Sequence, residues 1–144
     1  MMKRIISNTM AMRGYGVKIA SSENAPKAVG PYSQATIANN TIYVSGCLGL
    51  VPDTGDMAGE EVEVQAKQAL ENMGAVLEAA GSNFDNVVKT TVLLTDMNDF
   101  KRVNEVYSDY FSNHKPARIC YAVKDLPLGG KVEIDAIAVP EESM

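Results

Sequence analysis

The chain has 144 residues, enough for one domain with a sizeable hydrophobic core. Its formal net charge of −5 at pH 7 argues against a protein that wraps nucleic acid, because such proteins carry a basic face. The two cysteines, Cys47 and Cys120, form no CxxC pattern and His114 is the only histidine, so the sequence predicts no metal site. It contains no glycine-rich nucleotide motif, predicts no cofactor, and has no apolar run of transmembrane length.

Residues 1–16 differ in character from the rest. They contain Lys3, Arg4 and Arg13 and no acidic residue. We interpret them as an N-terminal extension, either disordered or a targeting segment of the mitochondrial kind. A single domain is then predicted over 17–140. Two unpaired thiols fit a reducing compartment, which favours a cytoplasmic protein, with a mitochondrial location as the alternative.

Within that domain, alternating and helical hydrophobic patterns predict six strands and two helices. The strands are predicted over 17–20, 32–38, 41–48, 87–94, 117–123 and 131–139, and the helices over 60–80 and 98–112. Asn39 and Asn40 mark a tight hairpin turn between the second and third strands. From the second strand onward, the order is ββαβαββ.

This order predicts an α+β fold in which both helices cover one face of a mixed sheet. The opposite face would then be bare, with Val, Ile and Ala side chains exposed on it. Exposed apolar patches usually mark an interface between subunits. The sequence therefore predicts an oligomer.

Two charged residues lie on the last two strands, which the sequence predicts to be neighbours in a hairpin. Arg118 has the planar fork that grips a carboxylate by two parallel hydrogen bonds. Glu133 could orient water or pass a proton. Two interpretations stay open: a functional pair, or a structural ion pair at the edge of the sheet.

Other candidates have structural alternatives as well. Asn104 lies on the apolar stripe of the second helix, where its amide needs a partner: nearby backbone or a site. Gly46, after Ser45, would let a ligand approach the backbone. Tyr32 is either a core ring or a hydroxyl donor, and the two cysteines are better explained as small buried hydrophobic residues than as nucleophiles.

Seven segments together resemble the Rid (YjgF-type) family of reactive-intermediate deaminases, also called endoribonuclease L-PSP proteins. They are AVGPYSQ (28–34), VSG (44–46), VVKTTV (87–92), DMNDF (96–100), VNEVY (103–107), PARIC (116–120) and VEIDAIA (132–138). They occur in family order and spacing across residues 17–139. No single segment is decisive, but the ordered set is highly specific.

The resemblance implies a chorismate-mutase-like fold that assembles as a homotrimer with three clefts between subunits. It implies hydrolysis of 2-imino acids or their enamine tautomers, such as 2-iminobutanoate and 2-iminopropanoate, to 2-keto acids and ammonia. Carried over by position, the carboxylate-binding residue is Arg118 and the residue that handles the attacking water is Glu133. The cleft would be lined by Tyr32, Ser45, Gly46, Asn104 and Cys120, the last through its backbone carbonyl.

Some positions depart from the family pattern: Cys47, Ile119, Leu128 and Asp135. The first two changes lie near the expected cleft and affect the expected substrate range. Two other functions remain as alternatives: a ribonuclease that acts on single-stranded RNA and inhibits translation, and a non-catalytic trimeric module that binds ligands or acts as a holdase. The acidic charge disfavours the ribonuclease.

Overall fold

The computed structural model describes residues 5–7 and 16–142. Its strands and helices, in chain order, are β1 Ile5–Ser7, β2 Lys18–Ser21, β3 Ala35–Ala38, β4 Thr41–Leu48, α1 Val62–Ala79, β5 Val87–Leu94, α2 Phe100–Tyr110, β6 Ala117–Ala122 and β7 Val132–Ala138. Among these residues, no helix has the length and apolarity needed to cross a membrane.

All seven strands form one mixed sheet in the order β1-β2-β3-β4-β7-β5-β6. Only β5 and β6 run parallel, and α2 connects them as a crossover helix. The predicted ββαβαββ order and α+β class are confirmed from β3 onward. β1 pairs with β2 in a segment where the sequence predicted no element. Most of the predicted 1–16 extension lies outside the described residues, so its boundary and its expected disorder stay predictions.

Both helices pack on one face of the sheet, as the sequence predicts. The buried stripe of α1 includes Leu70, Met73 and Leu77, all fully inaccessible, and it joins Val103 of α2 and Ile134 of β7 in one core. This stripe follows the 3.6-residue period of the sequence pattern. The strand residues that join this core, such as Ile134, are those that point toward the helices.

The turn between β3 and β4 also follows the sequence. Asn39 and Asn40 have φ angles of +48° and +57°, which a two-residue hairpin turn of type I′ requires. Asn tolerates this left-handed conformation better than most residues. The hairpin therefore sets the register of the first half of the sheet.

The predicted hairpin between the last two strands is wrong, because β5 lies between β6 and β7. Every second residue of β7 is at most 2% exposed: Val132, Ile134, Ala136 and Ala138. A strand with such an apolar face is most stable in the middle of the sheet, where β4 and β5 bond both of its edges. The more polar and more exposed β6 is left as the edge strand.

The face away from the helices is open and carries large apolar side chains. Tyr43, Ile119 and Tyr121 are 47–49% exposed there. The open face that the sequence predicted is therefore present in the single chain, but two of these three side chains are tyrosines where Val, Ile and Ala were expected, and Glu133 and Asp135 lie on the same face.

Candidate active site

Arg118 lies on β6 and points to the helix-covered side of the sheet. Its Nη1 donates a 2.7 Å hydrogen bond to Oδ1 of Asn104 on α2. Its guanidinium carbon lies 4.9 Å from the centre of the Tyr107 ring and 5.6 Å from that of Phe100. One amide and two aromatic faces thus hold a half-buried cation, while four of its five N–H donors lie outside the bond to Asn104.

For Asn104 the sequence left two alternatives open, a hydrogen bond to nearby backbone or a role in a site. Its carbonyl oxygen accepts from the Arg118 side chain and not from nearby backbone. The polar amide on the apolar stripe of α2 therefore serves to orient the guanidinium.

The Tyr107 ring packs against the same guanidinium. Its hydroxyl shares a 2.7 Å hydrogen bond with the Thr90 hydroxyl on β5, and burial raises the pKa of Tyr107. The ring is thus neutral and fixed beneath Arg118. Neither Tyr107 nor Phe100 was predicted from the sequence to be a site residue. The signal that could have found them is the spacing 100, 104, 107, which places two rings and one amide on a single helix face.

Glu133 lies on β7 and points to the open side of the sheet. Among the described residues, no protein group donates a hydrogen bond to its carboxylate. Burial and, secondarily, the nearby charge of Asp135 raise the pKa of the Glu133 carboxyl. A half-buried carboxylate without a protein donor and with a raised pKa is suited to accept a proton from water.

Gly46 on β4 makes room for this carboxylate. A Cβ placed on Gly46 would overlap Oε1 of Glu133. The strand is irregular here, since the register between β4 and β7 shifts between Val44 and Cys47. The glycine and the bulge together let Glu133 lie against the backbone of β4.

Ser45 lies on β4 next to Gly46, and Tyr32 lies in the loop that precedes β3 and faces this part of β4. The Ser45 hydroxyl donates a 2.6 Å hydrogen bond to the backbone oxygen of Ser33. The Tyr32 hydroxyl accepts from the backbone N–H of Val29, and the ring is 47% exposed. Together with Gly46 and Glu133, these two residues line a cavity of about 240 Å³.

The two charged candidates are not brought together within one chain. Arg118 is in register with Thr90 and Glu133 with Leu93, so the two side chains point to opposite faces of the sheet. They are also separated by two strand spacings, about 10 Å, and by three residues along the strand, about another 10 Å. The interpretation as a structural ion pair is therefore wrong for a single chain, since the two residues occupy separate positions on opposite faces of the sheet.

The surroundings of the two thiols disfavour their ionised form. Burial, followed by the charges of Glu133 and Asp135, raises the pKa of Cys47 to about 12. Burial also raises the pKa of Cys120, although Arg118 opposes this. Only the thiolate is strongly nucleophilic, so the raised pKa values agree with the interpretation of both cysteines as small hydrophobic residues.

Comparison with known proteins places this geometry in a family. The sequence model described as Endoribonuclease L-PSP matches residues 22–140. The chain belongs to the endoribonuclease L-PSP family. Within the family it is 56% identical to the mouse protein named 2-iminobutanoate/2-iminopropanoate deaminase, over 85% of this chain and 90% of that protein. The human protein of the same name is 52% identical, over 85% of this chain and 89% of that protein.

The fold of solved family structures agrees. The structure of E. coli TdcF with bound serine superposes with a TM-score of 0.82 at 40% identity, covering 86% of this chain and 99% of TdcF. The structure of RidA from an Antarctic Psychrobacter superposes with a TM-score of 0.80 at 45% identity, covering 83% of this chain and 96% of RidA. The resemblance found in the sequence is thus confirmed for this member of the endoribonuclease L-PSP family.

Proposed function

We propose that this protein is a hydrolytic deaminase that converts 2-imino acids and their enamine tautomers, including 2-iminobutanoate and 2-iminopropanoate, to 2-keto acids and ammonia. The relatives at 52–56% identity carry the name of this activity. One structural observation supports the proposal: the chain has both a guanidinium held in place by Asn104 and a carboxylate with a raised pKa.

Each of these two groups, with the residues around it, forms a half-site that is suited to a different part of the substrate. The oriented fork of Arg118 holds the substrate carboxylate by charge-assisted hydrogen bonds, as the serine bound to TdcF is also a carboxylate-bearing ligand. Tyr32, Ser45 and Gly46 shape the wall where Glu133 meets the reacting carbon. The backbone carbonyl of Cys120, on the free side of the edge strand, faces the ligand.

The reaction needs only water and one proton carrier. Glu133 accepts a proton as the water oxygen bonds to C2 and the C=N electron pair moves to nitrogen, giving a carbinolamine. Glu133 passes this proton to the amino group and, as the C–N bond breaks and ammonia leaves, accepts the hydroxyl proton, so that the C2–O bond becomes a carbonyl. A protonated imine is already a strong electrophile, so positioning the substrate and water can supply much of the catalysis.

The two half-sites meet between copies of the chain in a homotrimer. They lie on opposite faces of one sheet, and the open face carries exposed Tyr43, Ile119 and Tyr121, which a neighbouring subunit would cover. An exposed edge strand that carries Arg118 also favours such an arrangement. Light scattering at micromolar concentration tests this, and a stable monomer with full activity would exclude it.

A coupled assay tests the activity itself. A pyridoxal-phosphate-dependent dehydratase forms 2-iminobutanoate from threonine, and the loss of imine is followed with and without this protein. We expect faster loss with the protein. An unchanged rate at equimolar protein would favour the non-catalytic binding module instead.

A further inference from the structure

Thr90 is a polar residue in the apolar row on the helix-covered face of β5. This row consists of Thr90, Val92 and Leu94, and all three are fully inaccessible. Valine has nearly the shape of threonine and brings no polar group into the core, whereas a buried hydroxyl costs free energy unless it is hydrogen-bonded. Packing alone therefore does not explain a threonine at this position.

The partner of the Thr90 hydroxyl is the hydroxyl of Tyr107 on α2, at 2.7 Å. The other end of the Tyr107 side chain is held by packing, since its ring centre lies 4.4 Å from that of Phe111. Packing against a neighbouring ring leaves the tip of the tyrosine free to tilt, and the bond to Thr90 removes this freedom. The hydroxyl pair therefore fixes the plane of the Tyr107 ring.

The plane of this ring matters to Arg118. The guanidinium carbon lies 4.9 Å from the ring centre, and Thr90 is in register with Arg118 on the neighbouring strand. The hydrogen bond from Nη1 to Asn104 holds one point of the fork and leaves the guanidinium able to tilt about that bond. The attraction between a cation and an aromatic ring depends on the face that the ring presents, so the ring supplies a second support.

We propose that Thr90 is a positioning residue for the deaminase reaction, whose hydroxyl acts through Tyr107 to set the plane in which Arg118 receives the substrate carboxylate. This inference rests on the proposed deaminase function. Thr90 is fully buried, so it acts on the substrate only through the other two residues. A bidentate grip needs two N–H groups aligned with the two carboxylate oxygens, and a tilted fork keeps its charge but loses one of the two bonds.

The first test compares Thr90→Val with Thr90→Ser in the full chain. Thr90→Val removes the hydroxyl with little change in volume, and kcat/KM for 2-iminobutanoate should fall by about threefold to tenfold, the range that one hydrogen bond contributes. The loss should appear as a higher KM with little change in kcat, because the carboxylate is held alike in the ground state and the transition state. The affinity for the keto acid product, 2-ketobutyrate, measured by calorimetry, should fall by the same factor. Thr90→Ser keeps the hydroxyl and should restore both values.

A double variant separates positioning from stability. Thr90→Val and Tyr107→Phe each leave one buried hydroxyl without its partner, so each should lower the melting temperature. The double variant Thr90→Val/Tyr107→Phe leaves neither, so its melting temperature should return toward that of the wild type, while its KM stays as high as in Thr90→Val. Ser82→Ala is the matched control, since the buried Ser82 hydroxyl donates a 2.7 Å bond to the backbone oxygen of Val139 at the end of β7. It should lower stability and leave KM unchanged.

Each outcome decides the proposal. A raised KM and weaker 2-ketobutyrate binding in Thr90→Val and in the double variant, restored in Thr90→Ser, support it. A double variant with both the melting temperature and the KM of the wild type shows a purely structural pair and overturns it, as does an unchanged KM and affinity in folded Thr90→Val. If the wild type binds 2-ketobutyrate without hydrolysing the imine, the deaminase proposal fails, and the affinities alone decide whether Thr90 positions the guanidinium. A wild type that does neither overturns both proposals.

Discussion

Two variants that are each inactive should restore activity when they assemble together. Arg118→Ala removes the carboxylate grip, and Glu133→Gln removes the proton acceptor. The side chains lie on opposite faces of the sheet, so each proposed cleft takes Arg118 from one subunit and Glu133 from the next. A trimer that contains both variants can therefore hold clefts in which both residues are intact.

The magnitude follows from counting. In a random one-to-one mixture, an intact cleft needs a Glu133→Gln subunit on the arginine side and an Arg118→Ala subunit on the glutamate side. Each occurs with a probability of one half, so about a quarter of the clefts should be intact in a symmetric closed ring. Arg118→Ala alone should lose at least about tenfold to a hundredfold in kcat/KM, because a charge-assisted bidentate contact is lost. The recovered activity would therefore stand clearly above background.

The assay co-expresses the two variants with different affinity tags in equal amounts, purifies the protein, and follows the loss of 2-iminobutanoate. The matched control mixes wild-type chains with the double variant Arg118→Ala/Glu133→Gln in the same proportion. That mixture also contains about a quarter intact clefts under random assembly, so it calibrates both mixing and the assay. Recovery should peak at equal proportions.

The refuting result is specific. If the control retains about a quarter of wild-type activity while the mixed single variants stay as inactive as either variant alone, the two residues act within one chain or not at all. The division into half-sites between subunits would then be wrong. A fall in melting temperature with normal turnover in the folded fraction of either variant would instead indicate a structural role.

Four further expectations concern the same chain. The raised pKa means that Glu133 becomes protonated at a pH higher than about 4.3, the usual glutamate value, so kcat/KM should begin to fall at a higher pH than that as the solution is acidified. Asp135→Asn removes one cause of the raised pKa and should move this loss of activity to lower pH. Protonation of Glu133 itself favours the folded state, because its pKa is raised there, so circular dichroism should separate this loss of activity from acid unfolding. Arg118→Lys should rescue little of the activity that Arg118→Ala loses, because an ammonium lacks the planar fork. Deletion of residues 1–16 should leave turnover and assembly unchanged by the coupled assay and light scattering. Purified protein should not cleave single-stranded RNA, and robust cleavage that disappears in Arg118→Ala would contradict this.

Local signals were enough to predict much of the fold. The stripe at Leu70, Met73 and Leu77 predicts α1 because burial on one helix face needs only the sequence period. The Asn39–Asn40 turn is predicted by the tolerance of Asn for positive φ. These features depend on neighbours within a few residues, and the structure has them where the pattern indicates.

Long-range pairing was not accessible in the same way. The strands of Arg118 and Glu133 follow one another in sequence, which favours a hairpin, but β7 is inserted between β4 and β5. The alternation of apolar residues along β7, at positions 132, 134, 136 and 138, was the available sequence signal for a strand with one buried face. The closeness of the last two strands in the sequence favoured a hairpin more strongly than this signal favoured a central strand, so Arg118 and Glu133 were predicted to lie on neighbouring strands.

The support of Arg118 shows why the site was only partly predictable. A cation on an edge strand needs groups that hold its plane, and α2 supplies them through Asn104 and Tyr107. Tyr107 in turn is fixed by Thr90, which lies on the strand next to Arg118 and in register with it. These contacts join β6, α2 and β5, which are separate in sequence, so no single segment predicts them. Together these residues hold the guanidinium in place on the edge strand of the sheet. A second subunit can approach an edge strand and place its own carboxylate and a bound substrate next to the guanidinium. The position of Arg118 therefore supports the proposed cleft between copies of the chain.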